Sequence, residues 1–299
     1  MLKPPAGIAF VKSLVSFGES ALGLDFGESF KDFESDGTPP QWLYVSERYQ
    51  IKSVFDYYAH PYIGAFRNKE TMESLASGFE KLGFDIYLFT AEAWGGNPCP
   101  ILPMLLKQSR TRQAYVVLHE GWHITVWRRK IKIPYELEEP IAIAIADIGA
   151  STFADKTGDK ELLKDLTLLK NTRGRFRCAV NDAATSLKNG YEELAGRTQE
   201  DTEAVRKKLL GSVVYNPVWA EAEKAGVLLG GITRFQPINN AFFLRYGTYY
   251  NYLGIVEEAV KCMRNPLKAT DFFSRLPSPE LKPTLMFLKY FIEEIRKRK

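Results

Sequence analysis

The 299-residue sequence predicts an α+β fold that is predominantly helical, with a small sheet near its beginning. Two observations carry this. Stretches rich in β-branched and aromatic residues are confined to the part before about residue 92, and from about residue 100 onward apolar residues recur at helical spacing. No internal repeat and no low-complexity linker interrupts the chain. One domain over 1–299 is therefore expected, an α+β portion over about 1–99 followed by a helical portion over about 100–299.

The first apolar run, "IAFVKSLVSF", is broken by Lys12 and is followed by no small-residue cleavage site. No stretch of about 18 apolar residues occurs elsewhere, so neither a signal peptide nor a membrane span is expected, and cytoplasmic placement follows. Residues 34–42, "ESDGTPPQW", are turn-rich. Strands are expected at 49–55 ("YQIKSVF"), 62–67 ("YIGAFR") and 84–91 ("FDIYLFTA"). Between the last two, Met72, Leu75, Phe79 and Leu82 recur at helical spacing, and Gly83 is a fitting helix stop. The helical portion reads as 111–128, 138–156, 159–170, 175–195, 200–212, 239–263 and 279–298, with Gly, Pro or Asn punctuation such as "NTRG" and "YNPVW".

Forty basic residues against 36 acidic ones leave a charge of only +4, with short basic clusters at Arg128–Lys130 and at the C-terminus. Such clusters read as solvated faces, and no nucleic-acid partner is expected. Cys99, Cys178 and Cys262 form no CxxC pair and no disulfide framework, which fits a reducing compartment.

The chemistry concentrates in "YVVLHEGWHITVW". His119 and His123 lie four residues apart, hence on one face of a helix, and can direct both imidazoles at a single point. They read as a pair of zinc ligands. Glu120 then stands beside the metal, placed to take a proton from a water whose pKa the metal has lowered. Tyr115, Val116, Leu118, Trp122, Ile124 and Val126 surround the pair with apolar side chains, which strengthens the polarising effect of a metal. The competing reading is two core histidines satisfied by hydrogen bonds. Gly121 and Trp122 are unusual inside such a motif; a helical glycine costs about 1 kcal/mol relative to alanine, which is accounted for if something packs against the backbone there.

A catalytic zinc needs a third protein ligand. His60, in the turn "YAHPYIG", is one candidate. The stronger one is "ELEEPIAIAIADIGASTFA", a helix apolar nearly all round that opens on Glu138 and Glu139 sixteen positions after the HExxH. Acidic residues there also suit the helix dipole, and Pro140 suits an opening turn.

HExxH with a glutamate on the next helix resembles the gluzincin metallopeptidases, and the wider pattern resembles a bacterial family of predicted aminopeptidases. The resemblance runs from about residue 45 to 275, through "SERYQIKS", "GAFRNKETMESLASGFEKLGFDIYLFTAEAWG", "HEGWH", "EEPIA" and "NNAFFLRYGTYY". In that family the segment after the HExxH helix reads approximately Asn-Glu-Ser-Phe-Ala. Placed on "EEPIA", it implies Glu139 as the third ligand, with Glu138 in place of the asparagine and Pro140 in place of the serine. Those departures leave Glu138 open as the alternative. Many gluzincins place an aspartate four residues after the ligand glutamate to orient a histidine; that position is Ile143 here, so the orienting group must come from elsewhere.

The resemblance further implies that "FDIYLFTAEAW" is an edge strand able to pair with extended peptide. It also implies that Tyr249 or Tyr250, set with Tyr246 at helical spacing, donates to the oxyanion formed on hydrolysis. Asn239 and Asn240 read as caps of that helix. The expected activity is zinc-dependent hydrolysis of a peptide or aminoacyl substrate. The alternative is a non-catalytic protein with a structural zinc, or an inactive relative.

Overall fold

The computed structural model describes residues 6–55, 61–96, 98–194, 198–214, 216–227 and 237–298. In chain order its elements are α1 (Ala6–Phe17), β1 (Gln41–Ser46), β2 (Tyr62–Phe66), α2 (Lys69–Lys81), β3 (Asp85–Thr90), α3 (Pro103–Leu106), α4 (Arg110–Arg129), α5 (Tyr135–Thr157), α6 (Lys160–Glu192), α7 (Gln199–Val214), α8 (Val218–Lys224), α9 (Asn240–Tyr250), α10 (Leu253–Cys262), α11 (Ala269–Ser274) and α12 (Leu281–Lys297). The fold is α+β and predominantly helical, as expected. No helix among the described residues is long and apolar enough to cross a membrane. The chain divides into two compact units: Met1–Pro39 with Glu92–Thr167 and Tyr249–Lys299, and Pro40–Ala91 with Leu168–Thr248.

The second unit holds an antiparallel sheet of order β2-β1-β3. Leu43 pairs with Leu88 and Val45 with Ile86, and this face buries Met72 and Ala76 of α2, with Phe79 packed alongside. On the other face Tyr87 meets Phe242 and Tyr246 of α9. Covering both faces explains one difference from the sequence reading. β1 is buried almost continuously and shows no alternation, so its run "QWLYVS" merges with the turn-rich lead before it.

The stretch expected as a strand at 49–55 is instead a turn. The Ser46 hydroxyl sits at its centre, donating to the carbonyls of Gln50 and Lys52 and accepting from the Lys52 N–H. Among the described residues β3 lies at an edge of the sheet.

Below the sheet, Arg206 of α7 donates through Nη2 to both oxygens of Asp85, at 2.6 and 2.7 Å, both side chains being buried. Asn239 caps α9, its Oδ1 accepting from the Phe242 N–H. Asn240 does not cap; its Nδ2 donates to the carbonyls of Glu47, Arg48 and Gln50 and so holds the turn after β1.

Helix boundaries shift where burial overrides local punctuation. "NTRG" does not break α6, because Thr172, Arg173 and Phe176 are all buried there and a Cβ on Gly174 would meet open space. The helix expected at 239–263 is two, α9 and α10, separated at Asn251 and Tyr252. α5 starts at Tyr135 rather than 138, so Pro140 lies inside the helix and not in its opening turn. The ring removes one intrahelical donor, and burial of Leu137, Ile141 and Ile145 keeps the helix continuous.

In the first unit α4 and α5 pack along one another. Their approach is close because α5 offers Ala142, Ala146, Gly149 and Ala150 as buried residues, and a Cβ on Gly149 would come within 2.9 Å of Leu118 Cδ1. Three residues on from Leu118, Phe26 covers Gly121: a Cβ there would lie 2.4 Å from Phe26 Cζ. This is the close packing that a glycine in mid-helix requires. Thr125 binds the same segment, accepting from the Asp25 N–H at 2.8 Å and donating to the Gly121 carbonyl. Trp122 is fully buried core.

Candidate metal centre

α4 carries the motif histidines. The Ser109 hydroxyl caps its start by accepting from the Arg112 N–H, and Lys130 ends it in the left-handed region at φ 52. His119 and His123 therefore sit one turn apart on the face turned to α5, where Glu139 meets both.

His119 Nε2 lies 3.1 Å and His123 Nε2 3.5 Å from Glu139 Oε2, and the two Nε2 atoms are 3.3 Å apart. Donor atoms bonded at about 2.0–2.1 Å to one tetrahedral ion would be separated by about 3.3–3.4 Å. The triangle therefore has the spacing that one metal ion requires, and these three residues can hold one. Glu139 Oε2 is buried and faces both Nε2 atoms. All three side chains are largely shielded, 8, 13 and 16% exposed for His119, His123 and Glu139.

The two histidines are held differently. His123 Nδ1 is 2.8 Å from Glu138 Oε1, so Glu138 binds the far side of the ring from Glu139. His119 instead lies between two aromatic rings, Tyr115 at 5.7 Å and 25°, and Tyr249 at 6.3 Å and 18°. Its Nδ1 is buried with no hydrogen-bond partner among the described residues. Behind Tyr115, Arg112 lies over the ring and forms a two-bond pair with the buried Glu92, at 2.9 and 3.1 Å.

Glu120 lies beside the triad. A Cβ on Gly95 would fall 3.6 Å from Glu120 Oε2 and 2.4 Å from His123 Cβ, so the backbone around Gly95 lies directly against this turn of α4. Burial pushes the Glu120 carboxyl above the ordinary range; His119 and His123 pull against that rise and Glu139 adds to it. At His123 burial opposes the charged imidazolium, but the Glu139 charge and the Glu138 hydrogen bond outweigh it and hold the ring well above the ordinary imidazole value. Burial likewise opposes charge on Glu139, and His123 and His119 reverse it, leaving that carboxyl far below its ordinary range.

Of the residues singled out in the sequence, the structure gathers His119, His123 and Glu139, with Glu120 on the same helical turn and Tyr249 against His119. Glu138 joins them as a partner of His123. Tyr250 is buried at 5% exposure, and Tyr246 packs in the second unit against Phe176 and Phe242. His60 lies outside the described residues. Sequence reasoning named Tyr115 only as an apolar flank and missed Arg112, Glu92 and Gly95. Tyr115 and Arg112 precede His119 by four and seven residues, so helical periodicity alone places them on its face; nothing local marks Glu92 or Gly95.

A family model described as "Putative aminopeptidase" matches residues 7–275. No curated protein and no solved structure matches the chain.

Proposed function

The chain belongs to the "Putative aminopeptidase" family, and from that premise we propose that it is a zinc-dependent peptidase acting on peptide or aminoacyl substrates. His119, His123 and Glu139 hold the zinc. The observation that carries this reading is the triangle of donor atoms, 3.1 to 3.5 Å on each side. Two imidazoles and one carboxylate are a donor set that suits zinc.

Three protein donors also leave a coordination position for water, which a catalytic site needs and a structural site does not have. Among the described residues no fourth side chain joins the group. When bound, zinc supplies Lewis acidity, lowering the pKa of water and polarising the substrate carbonyl.

The protein's own groups do the rest. Glu120 accepts a proton from the attacking water and returns it to the leaving amine. Its buried surroundings, which raise its basicity, suit that exchange. Tyr249, whose ring borders His119, is the tyrosine we assign to the developing oxyanion, in preference to the buried Tyr250.

The test is Glu120→Gln. The variant is expected to retain one zinc per chain while hydrolysis of aminoacyl and peptide substrates falls by about 10²- to 10⁴-fold. Wild-type protein that takes up no stoichiometric transition metal would refute the proposal at its first step.

A further inference from the structure

The geometry points to Glu138 as the residue that orients His123, by accepting the Nδ1 hydrogen of that ring. The inference rests on the reading of His119, His123 and Glu139 as the metal-holding residues. It supplies the orienting carboxylate that Ile143, buried and apolar, cannot provide.

Glu138 and Glu139 are neighbours on α5, so their side chains leave the helix about 100° apart and cannot both reach the same side of one imidazole. Glu139 Oε2 takes the Nε2 side of His123, and Glu138 Oε1 takes the Nδ1 side at 2.8 Å. An imidazole has one hydrogen to place between two nitrogens when neutral. A carboxylate at Nδ1 accepts but cannot donate, so the hydrogen is kept at Nδ1 and the lone pair is presented at Nε2. Nε2 is the nitrogen that faces Glu139 and His119.

The same contact opposes rotation of the His123 ring about its Cβ, because turning the ring would carry Nδ1 away from Glu138 Oε1. His119 has no such partner: its Nδ1 is buried without a hydrogen bond among the described residues, and its ring is held by Tyr115 and Tyr249. Glu138 is thus a positioning residue for one of the two histidines only.

Zinc affinity by chelator competition and the imidazole N–H signals of the zinc-loaded protein test this together. Glu138→Ala is expected to keep a stoichiometry of one zinc, weaken its binding about 10- to 100-fold, and abolish the protected Nδ1–H signal of His123. The His119 ring signals should stay in place. Glu138→Gln preserves shape and an acceptor oxygen; it should fall between the two, and it keeps the question answerable if the alanine variant fails to fold. Affinity within threefold of wild type in both variants, with the His123 signal unchanged, would overturn the assignment. So would loss of stoichiometric binding in Glu138→Gln together with its retention in Glu139→Gln, since Glu138 would then be the ligand. Wild-type protein that binds no zinc would overturn the metal reading itself, and this inference with it.

Discussion

Tyr249 presents its ring nearly parallel to that of His119, with 18° between the planes and 6.3 Å between centroids. The contact and the hydroxyl can be separated by substitution. Tyr249→Phe keeps the ring and removes the phenol, so kcat should fall by about 10²- to 10³-fold at unchanged zinc affinity if the phenol serves the oxyanion. Tyr249→Ala should weaken zinc as well. Tyr250→Phe should leave kcat near wild type, and a large loss there would move the assignment to Tyr250.

The titration of the triad sets a pH optimum for its own contribution to the stability of zinc-free protein. His123 is raised above its ordinary 6.5, so its contribution is complete below 6.5 and is lost as pH rises through the raised value. Glu139 is lowered from its ordinary 4.5, so its contribution is complete above 4.5 and is lost as pH falls toward its depressed value. Both act fully between pH 4.5 and 6.5; Glu120, raised above 4.5 by burial, costs stability as pH rises through that window, so the Tm maximum is expected there in zinc-free Glu120→Gln, which lacks that opposing group. Zinc must displace the His123 proton at neutral pH. Calorimetric titrations in buffers of different ionisation enthalpy should therefore show proton release on binding.

Gly121 and Phe26 form a fitted pair. Gly121→Ala gains about 1 kcal/mol of helix propensity but forces the Cβ into a buried ring 2.4 Å away. Overpacking of that kind costs about 1–3 kcal/mol, so urea denaturation should show a net loss of about 1 kcal/mol. Phe26→Leu in the same chain should recover part of it, a coupling that a double-mutant cycle measures.

Gly95 is expected to behave differently. An alanine there would meet His123 Cβ, which cannot move without turning the helix. Gly95→Ala should weaken zinc binding and hydrolysis together, with a smaller effect on urea denaturation than on either. An unchanged zinc affinity would show that the Gly95 backbone yields freely.

In the sheet-bearing unit, Arg206→Met should leave the carboxylate of Asp85, 4% exposed, without its two-bond partner. Breaking a buried pair costs about 3–5 kcal/mol, but the Asn240 N–H and Arg48, 3.9 Å away, still face Asp85, so the loss should lie at or below the low end of that range, measurable as a lower urea midpoint. Adding Asp85→Asn should restore part of the loss.

The two histidines were legible because their pairing depends on helical spacing, which a sequence displays directly, whereas Glu139 was singled out only through the family resemblance. Glu138 was visible as a residue but its contact with His123 Nδ1 was not, since that depends on which side of the ring each carboxylate reaches. The strand β1 was not legible at all: its residues are buried almost without alternation, Leu43 and Val45 against α2 and Tyr44 beside Tyr62 and Phe89, so the two-residue period vanishes. Pro140 misled for a related reason. Its preference for a first turn is a local bias, whereas α5 is held by burial along most of its length. Tyr249 and His119 are 130 positions apart, beyond the reach of any local pattern.

The attachment of the Asp25–Phe26 segment to α4 also bears on the order of assembly. Asp25 bonds to Thr125 and Arg128, 100 and 103 positions away in sequence, and Phe26 closes over Gly121 between them. Such a closure is slow compared with local helix formation. During refolding, helical signal should therefore rise before the back of α4 is sealed, and capture of zinc, followed with a metal indicator, should lag behind it. Metal uptake would then serve as a clock for the last long-range step of folding.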